Sequence, residues 1–207
     1  MAKIIDISPE ISPKTAVWTG DTPFSQQFLC RFEEGANLDL STIQSTVHIG
    51  AHADAPSHYR AGAVSIEQRD LNLYYGSCQV MTVSLPRGER IGPHHLPDPI
   101  RAPRLLLRSL SFPDPNHFST DFNSFSPDLV RHAQEKGVVL MGIDTPSVDP
   151  YSSKGLEAHN AIADADMAIL EGLILEHVED GIYQLIAFPL KIKDSDASPV
   201  RAVLLAE

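Results

Sequence analysis

Three histidines and an aspartate fall within eleven residues of this chain: His48, His52, Asp54 and His58, in the run His48-Ile-Gly-Ala-His-Ala-Asp-Ala-Pro-Ser-His58. Imidazole and carboxylate are the ligands that a catalytic divalent ion such as zinc accepts, and an open position for water turns such an ion into a hydrolytic centre. Gly50 and Pro56 interrupt the run, which argues against a plain helix or an unbroken strand. A bent backbone can aim these side chains at one point. A spacing of two places His52 and Asp54 on one side of an extended stretch. His48 is expected to close an alternating strand, Ser45–Ile49, that sets the direction of its side chain.

Three such residues rarely complete a hydrolytic centre. Far along the chain, His159 stands near the start of an Ala-rich segment that reads as a helix from about Leu156 to about Leu170, and Glu171 follows at its end beside Gly172. These two are candidates for a second set of ligands, with Asp54 bridging two ions. Asp164 and Asp166 in the same segment read as a solvated face. The remaining histidines take ordinary readings: His94, His95 and His117 in Pro-rich loops, His132 on the outer side of a helix, His177 beside Glu176. Of these, only His94 and His95 are in a position to reach a site. No GxSxG elbow and no Gly-rich phosphate loop occur, and neither Cys30 nor Cys78 has a histidine near it in sequence, so a covalent acyl-enzyme is not indicated.

The elements that must carry these residues are mostly strands. Lys3–Ile7 alternates as a half-buried strand does, and Cys78–Leu85, Arg104–Leu110, Val138–Ile143, Ile182–Leu190 and Val200–Leu204 are rich in Val, Ile and Leu. Besides the helix near His159, a second helix begins with Ser126 as N-cap and Pro127 at its first position and ends at Gly137. Its apolar face is Leu129, Val130 and Ala133. Prolines cluster in Ile91–Pro103 and Phe112–Pro127, which read as connections, the latter long enough to lie over a site. Many strands with two clear helices predict an α/β chain with a mixed, largely antiparallel sheet or barrel-like core, not a doubly wound one.

The whole chain, 1–207, reads as one domain able to bury a real core. Its net charge of −11, with no Lys/Arg run, argues against nucleic acid as a partner. Two cysteines outside any CxxC arrangement fit a reducing cytoplasm. The N-terminus lacks an apolar leader core and no apolar run approaches a membrane span, so the expectation is a cytoplasmic protein with no membrane partner.

At the histidine run the sequence resembles the bacterial kynurenine formamidases (arylformamidases), within the wider cyclase family of metal-dependent amide hydrolases. The family's motif HxGTHxDxPxH reads here His48-x-Gly50-Ala51-His52-x-Asp54-x-Pro56-x-His58. It departs at Ala51, and alanine there looks like the formamidase branch. Ala16-Val-Trp18-Thr-Gly-Asp-Thr-Pro23 is similar to the family's VWPGDTP segment, with Thr19 in place of a proline. Gly142–Asp149 and the stretch from Leu156-Glu-Ala-His159 to Glu171-Gly172 are also similar to formamidase segments, so the resemblance runs from Asp6 to the C-terminal strand.

The resemblance implies a swivelling β/β/α domain with few helices. It implies that His48, His52 and Asp54 bind one zinc ion and that Asp54, His159 and Glu171 bind a second; manganese or cobalt ions suit the same donors. It makes His58 the proton-transfer residue, with the competing role of a further ligand, and Trp18 a substrate contact. The implied reaction is hydrolysis of N-formyl-L-kynurenine to L-kynurenine and formate in tryptophan degradation by the kynurenine pathway. The implied assembly is a homodimer, with residues 1 to about 40 contributing to it. Two other readings stand beside this one: a cyclase-family hydrolase of another aryl amide or an isatin-type lactam, and a metal-binding module that does not catalyse.

Overall fold

A computed structural model describes residues 3–206. Among them, in chain order, are strands β1 (Lys3–Asp6), β2 (Ser25–Cys30), β3 (Leu40–Gln44), β4 (His52–Asp54), β5 (Tyr75–Thr82), β6 (Arg90–Ile91), β7 (Arg104–Arg108) and β8 (Ser124–Phe125). Helix α1 (Pro127–Glu135), β9 (Leu140–Ile143), helix α2 (Glu157–Asp164), β10 (Ala168–Glu171), β11 (Gly181–Ile186), β12 (Ala197–Pro199) and β13 (Val203–Ala206) complete them. Nine strands form one sheet in the order β1-β13-β11-β5-β7-β9-β10-β4-β12. Its centre, β5-β7-β9-β10, is parallel, and the pairs on either side are antiparallel. This is the mixed sheet with few helices that the sequence predicts.

Parallel neighbours need crossover connections. Helix α1 lies between β7 and β9, and α2 between β9 and β10. Both helices pack on one face, where Leu129, Val130, Ala133, Ala158 and Ile162 meet Leu105, Leu107, Met141, Ile143 and Ile169 in a single cluster. Alternate residues of the same strands, Leu106, Leu140, Ala168 and Leu170, join a second cluster on the other face with Ala53, Cys78, Val80, Leu185 and Leu204. Ile5 packs against it too, so eight of the nine strands feed one apolar core, which requires the sheet to curl around it. Fully burying a side chain such as Leu106 or Leu140 stabilises the fold by about 1.5–3 kcal/mol.

Helix α1 forms as its sequence requires. The Ser126 hydroxyl accepts from the Leu129 amide at 3.1 Å, Pro127 occupies the first turn, and Gly137 turns the chain away at φ +78°. The second helix is shorter than expected. It ends at Asp164, Asp166 adopts a left-handed φ of +52°, and Ala168–Glu171 is a strand. A four-residue apolar run bounded by a turn has no periodicity to distinguish a buried strand from a helix. Here the ladders of β9 and β4 take its backbone groups.

The expected strand Ser45–Ile49 is a loop. Pairing in the hairpin stops at Gln44, and the chain bends through Gly50, at φ +59°, before β4 begins. The expected strand Val200–Leu204 starts three residues later, as β13, while Val200–Ala202 link it to β12, a strand that the sequence reading did not include. Other strands agree with their expected positions to within a few residues. Hairpin β2–β3 stands apart from the main sheet and exposes Phe28, Leu29, Leu40 and Ile43. No helix among the described residues is long and apolar enough to cross a membrane.

Candidate metal centre

The β4–β10 register builds the site. Antiparallel pairing sets His52 opposite Glu171 and Asp54 opposite Ile169. Ala53, between the two ligand candidates, points into the curled core, so His52, Asp54 and Glu171 share the face on which α2 packs. His159, in the first turn of α2, completes the cluster. All four side chains are buried. His52 Nε2 lies 3.2 Å from Glu171 and 3.5 Å from Asp54, and His159 Nε2 lies 3.4 Å from Asp54 and 3.5 Å from Glu171. His48, carried by the bent loop, brings Nδ1 to 3.0 Å from Asp54. The five candidate ligands therefore converge, although two of them, His48 and Glu171, come from elements other than those expected.

Two glycines permit this approach. A Cβ on Gly172 would drive into the Gly50 carbonyl oxygen and lie 2.9 Å from its carbon, and Gly172 has φ +65°. Gly50 stands between His48 and His52, and Gly172 follows Glu171, so the two segments that carry candidate ligands touch backbone to backbone.

Hydrogen bonds outside the cluster fix which nitrogens face inward. His52 Nδ1 donates to the Gly50 carbonyl at 2.9 Å, and His159 Nδ1 donates to Asp149 at 2.8 Å, leaving both Nε2 atoms towards Asp54 and Glu171. Outer acceptors of this kind orient metal-ligating imidazoles. Asp149 also accepts from the Ala158 and His159 amides, capping α2 from a loop. Glu171 is held by the Val148 amide at 2.7 Å. Both oxygens of Asp54 are buried with no well-directed donor. A buried carboxylate without donors, ringed by imidazole nitrogens and a second carboxylate, is a donor set that fits divalent cations.

The charges are strongly coupled. Burial opposes the imidazolium of His48, but Asp54 and then Asp196 favour it more and raise His48 to about 9. Burial likewise opposes a charged His159, yet the hydrogen bond to Asp149 and the neighbouring carboxylates of Asp54 and Glu171 raise it to about 10. Burial works to raise Asp54, and the imidazoles of His159 and His48 beside it outweigh that effect, holding the carboxyl well below the usual range.

The cluster opens into a cavity of about 540 Å³. Trp18 forms its aromatic wall with Tyr151, 5.0 Å away at 34°, and with Phe118, met edge-on at 5.5 Å. His58 lines the same cavity, its ring 4.2 Å from that of His48, and its ligand atoms come within 4.8 Å of those of His48 and Asp54. Its Nδ1 is 3.2 Å from Asp196 Oδ2, the oxygen that also meets His48 Nε2 at 3.0 Å. The distances cross the two ligand sets implied by the resemblance, because His52 groups with Asp54 and Glu171.

Comparison with known proteins decides the family. The Cyclase family, described as "Putative cyclase", matches residues 5–150. The chain belongs to the cyclase family. Within it, kynurenine formamidases are similar over nearly the full length: that of Bordetella petrii is 41% identical over 206 residues, covering 99% of this chain and 98% of that protein. That of Bordetella pertussis is 42% identical over the same span. Among solved structures, a "potential metal-dependent hydrolase with cyclase activity" superposes with a TM-score of 0.84 at 25% identity, covering 100% of this chain and 99% of that one. Isatin hydrolase A from Labrenzia aggregata shares the fold, with a TM-score of 0.79 at 20% identity over 99% of this chain and 94% of the other.

In this cyclase-family chain the residues brought to the site are those of the histidine run together with His159, Glu171 and Trp18. His94, His95, His117, His132 and His177 do not line the cavity. His177 instead bonds the Asp6 carbonyl. Asp164 and Asp166 are exposed but paired, with Arg60 and Arg69. Sequence reasoning missed Asp149, Asp196, Phe118 and Tyr151. Asp149 closes a segment already similar to the family's, which was the available signal. Asp196 sits in a polar stretch, Lys193-Asp-Ser-Asp196, that looks like ordinary surface.

Proposed function

We propose that this chain is a metal-dependent amide hydrolase that converts N-formyl-L-kynurenine to L-kynurenine and formate, a step of tryptophan degradation. The observation that carries this reading is the five-residue donor cluster opening onto an aromatic cavity, in a chain 41% identical over 206 residues to a kynurenine formamidase. His48, His52, Asp54, His159 and Glu171 are the proposed metal ligands. Two ions held there, zinc first among the alternatives, would supply a strong nucleophile at neutral pH and polarise the formyl carbonyl.

The side chains do the rest. Trp18 and Tyr151 stack on the kynurenine ring and set the formamide against the ligand cluster. Expulsion of the arylamine requires a proton on its nitrogen as the C–N bond breaks, and His58, at the cavity wall, delivers it.

Residues 1–207 act in this reading as one hydrolase domain, supported by a sheet that runs from Lys3 to Ala206. A homodimer in the cytoplasm is part of the proposal. The apolar side chains exposed on β2–β3 support the dimer, and the two free cysteines support a reducing compartment. The test is a steady-state assay with N-formylkynurenine and with isatin, before and after chelation. Chelator-sensitive turnover of the formamide supports the reading, whereas turnover of isatin alone replaces the substrate. Bound metal with neither activity returns the chain to a binding module.

A further inference from the structure

Asp196 has no role in the chemistry described so far, and it occupies an unusual place. Its backbone carbonyl accepts from the Ala55 amide at 2.8 Å, and its neighbour Ala197 pairs with Asp54 in the β4–β12 ladder. The sheet edge therefore fixes Asp196 beside the histidine run. One of its carboxylate oxygens, Oδ2, meets both His58 Nδ1 and His48 Nε2. The two imidazoles lie with ring centres 4.2 Å apart and are joined through that single oxygen.

A neutral imidazole carries its proton on one nitrogen, and the hydrogen bond made by the other determines which. A carboxylate at Nδ1 selects the Nδ1–H form and stabilises the imidazolium when Nε2 gains a proton. We infer that Asp196 is a positioning residue: it holds His58 with Nδ1–H towards the sheet edge, so that Nε2 is the atom that gives and takes a proton in the cavity. The same oxygen ties the orientation of His58 to that of His48. This inference rests on the formamidase reading for the identity of the leaving group but not for the hydrogen bond itself. Because the Asp196 side chain is 48% exposed and its ladder contacts are backbone ones, substitution leaves the fold intact.

The test compares two formyl compounds at measured, equal metal content. N-formylkynurenine expels an arylamine that must be protonated, while 4-nitrophenyl formate expels a stable anion that needs no proton. Asp196→Ala is expected to lower kcat on the formamide about 10- to 100-fold, a part of what acid–base catalysis supplies, and to change ester hydrolysis by no more than about twofold. Asp196→Asn, which keeps an acceptor oxygen, should recover most of the loss, and Asp196→Ala should cost nothing further in a His58→Ala background. Nitrogen-15 spectra of the wild-type imidazoles should show His58 protonated at Nδ1, and Asp196→Ala should lose that signature. Equal losses on both substrates, additive losses in the double variant, or a wild-type proton on Nε2 would overturn the inference. Wild-type protein that cleaves the ester but not the formamide would instead refute the substrate, with the nitrogen-15 result still deciding the role of Asp196.

Discussion

Replacing Gly172 with alanine tests whether the site depends on the contact between its two ligand-bearing segments. The added Cβ lies 2.9 Å from the Gly50 carbonyl carbon, where carbon atoms pack best at about 3.5–4.0 Å. The obstacle is backbone, so relief requires the segments to part by roughly 1 Å, at an overpacking cost of about 1–3 kcal/mol. Gly172 also has φ +65°, and a Cβ in that region adds about 1–2 kcal/mol. Together Gly172→Ala should destabilise the protein by about 2–5 kcal/mol, lowering Tm by roughly 4–20 °C. Because Gly50 lies between His48 and His52 and Gly172 adjoins Glu171, the same displacement should weaken zinc binding. Denaturant unfolding and zinc titration of purified variant and wild type supply both numbers. A variant within about 0.5 kcal/mol of wild type and with unchanged zinc affinity would refute this account of the contact.

Metal binding should release protons, since His48 and His159 are raised to about 9 and about 10 and an entering cation must displace their protons. Calorimetry in buffers of differing ionisation enthalpy near pH 7.5 should detect up to two protons, and affinity should rise with pH until those values are passed. A buffer-independent heat would count against it. The stabilisation that these raised histidines give metal-stripped protein is fully present below 6.5 and is lost as pH rises through about 9–10, so its Tm should fall across that window. Asp149→Ala should weaken metal binding about 10- to 100-fold by freeing the His159 ring, measured by competition with a chelating dye; wild-type affinity would show that Asp149 only caps α2. Trp18→Ala should raise KM for N-formylkynurenine about tenfold, the worth of one aromatic contact, with kcat little altered. A selective fall in kcat would move Trp18 from binding to chemistry.

The ligand types in the site were readable because four of the candidate residues crowd into eleven positions and the rest lie beside a helix start and a glycine. What could not be read was the element under Glu171. Ala168-Ile-Leu-Glu171 is apolar enough to continue a helix, and only the hydrogen-bonding demand of β9 and β4 makes it a strand. The segment bearing His48 alternates polar and apolar residues as a strand does, with Val47 and Ile49, but the chain there is half-buried loop that bends through Gly50, which no local periodicity encodes. Asp149 and Asp196 were hidden for another reason. Each acts on a histidine that is distant in sequence, ten residues away for Asp149 and 138 away for Asp196 from His58, and a lone aspartate in a polar loop carries no mark of its partner. The mixed sheet is legible in outline from the apolar runs, while its parallel centre, joined through the two crossover helices, is a strand order that the runs do not encode.

The register of β4 against β10 has a consequence for how such a chain can diverge. The proposed ligands His52, Asp54 and Glu171 stand in a ladder whose other face is the core, so a one-residue slip of β4 would turn His52 and Asp54 into hydrocarbon, and a slip of β10 would do the same to Glu171. Trp18, Phe118 and Tyr151 stand on loops that the ladder does not constrain. Descendants can exchange those loops and inherit the proposed metal-binding face unchanged, so the reactive centre and the choice of substrate are under separate lines of inheritance within one molecule.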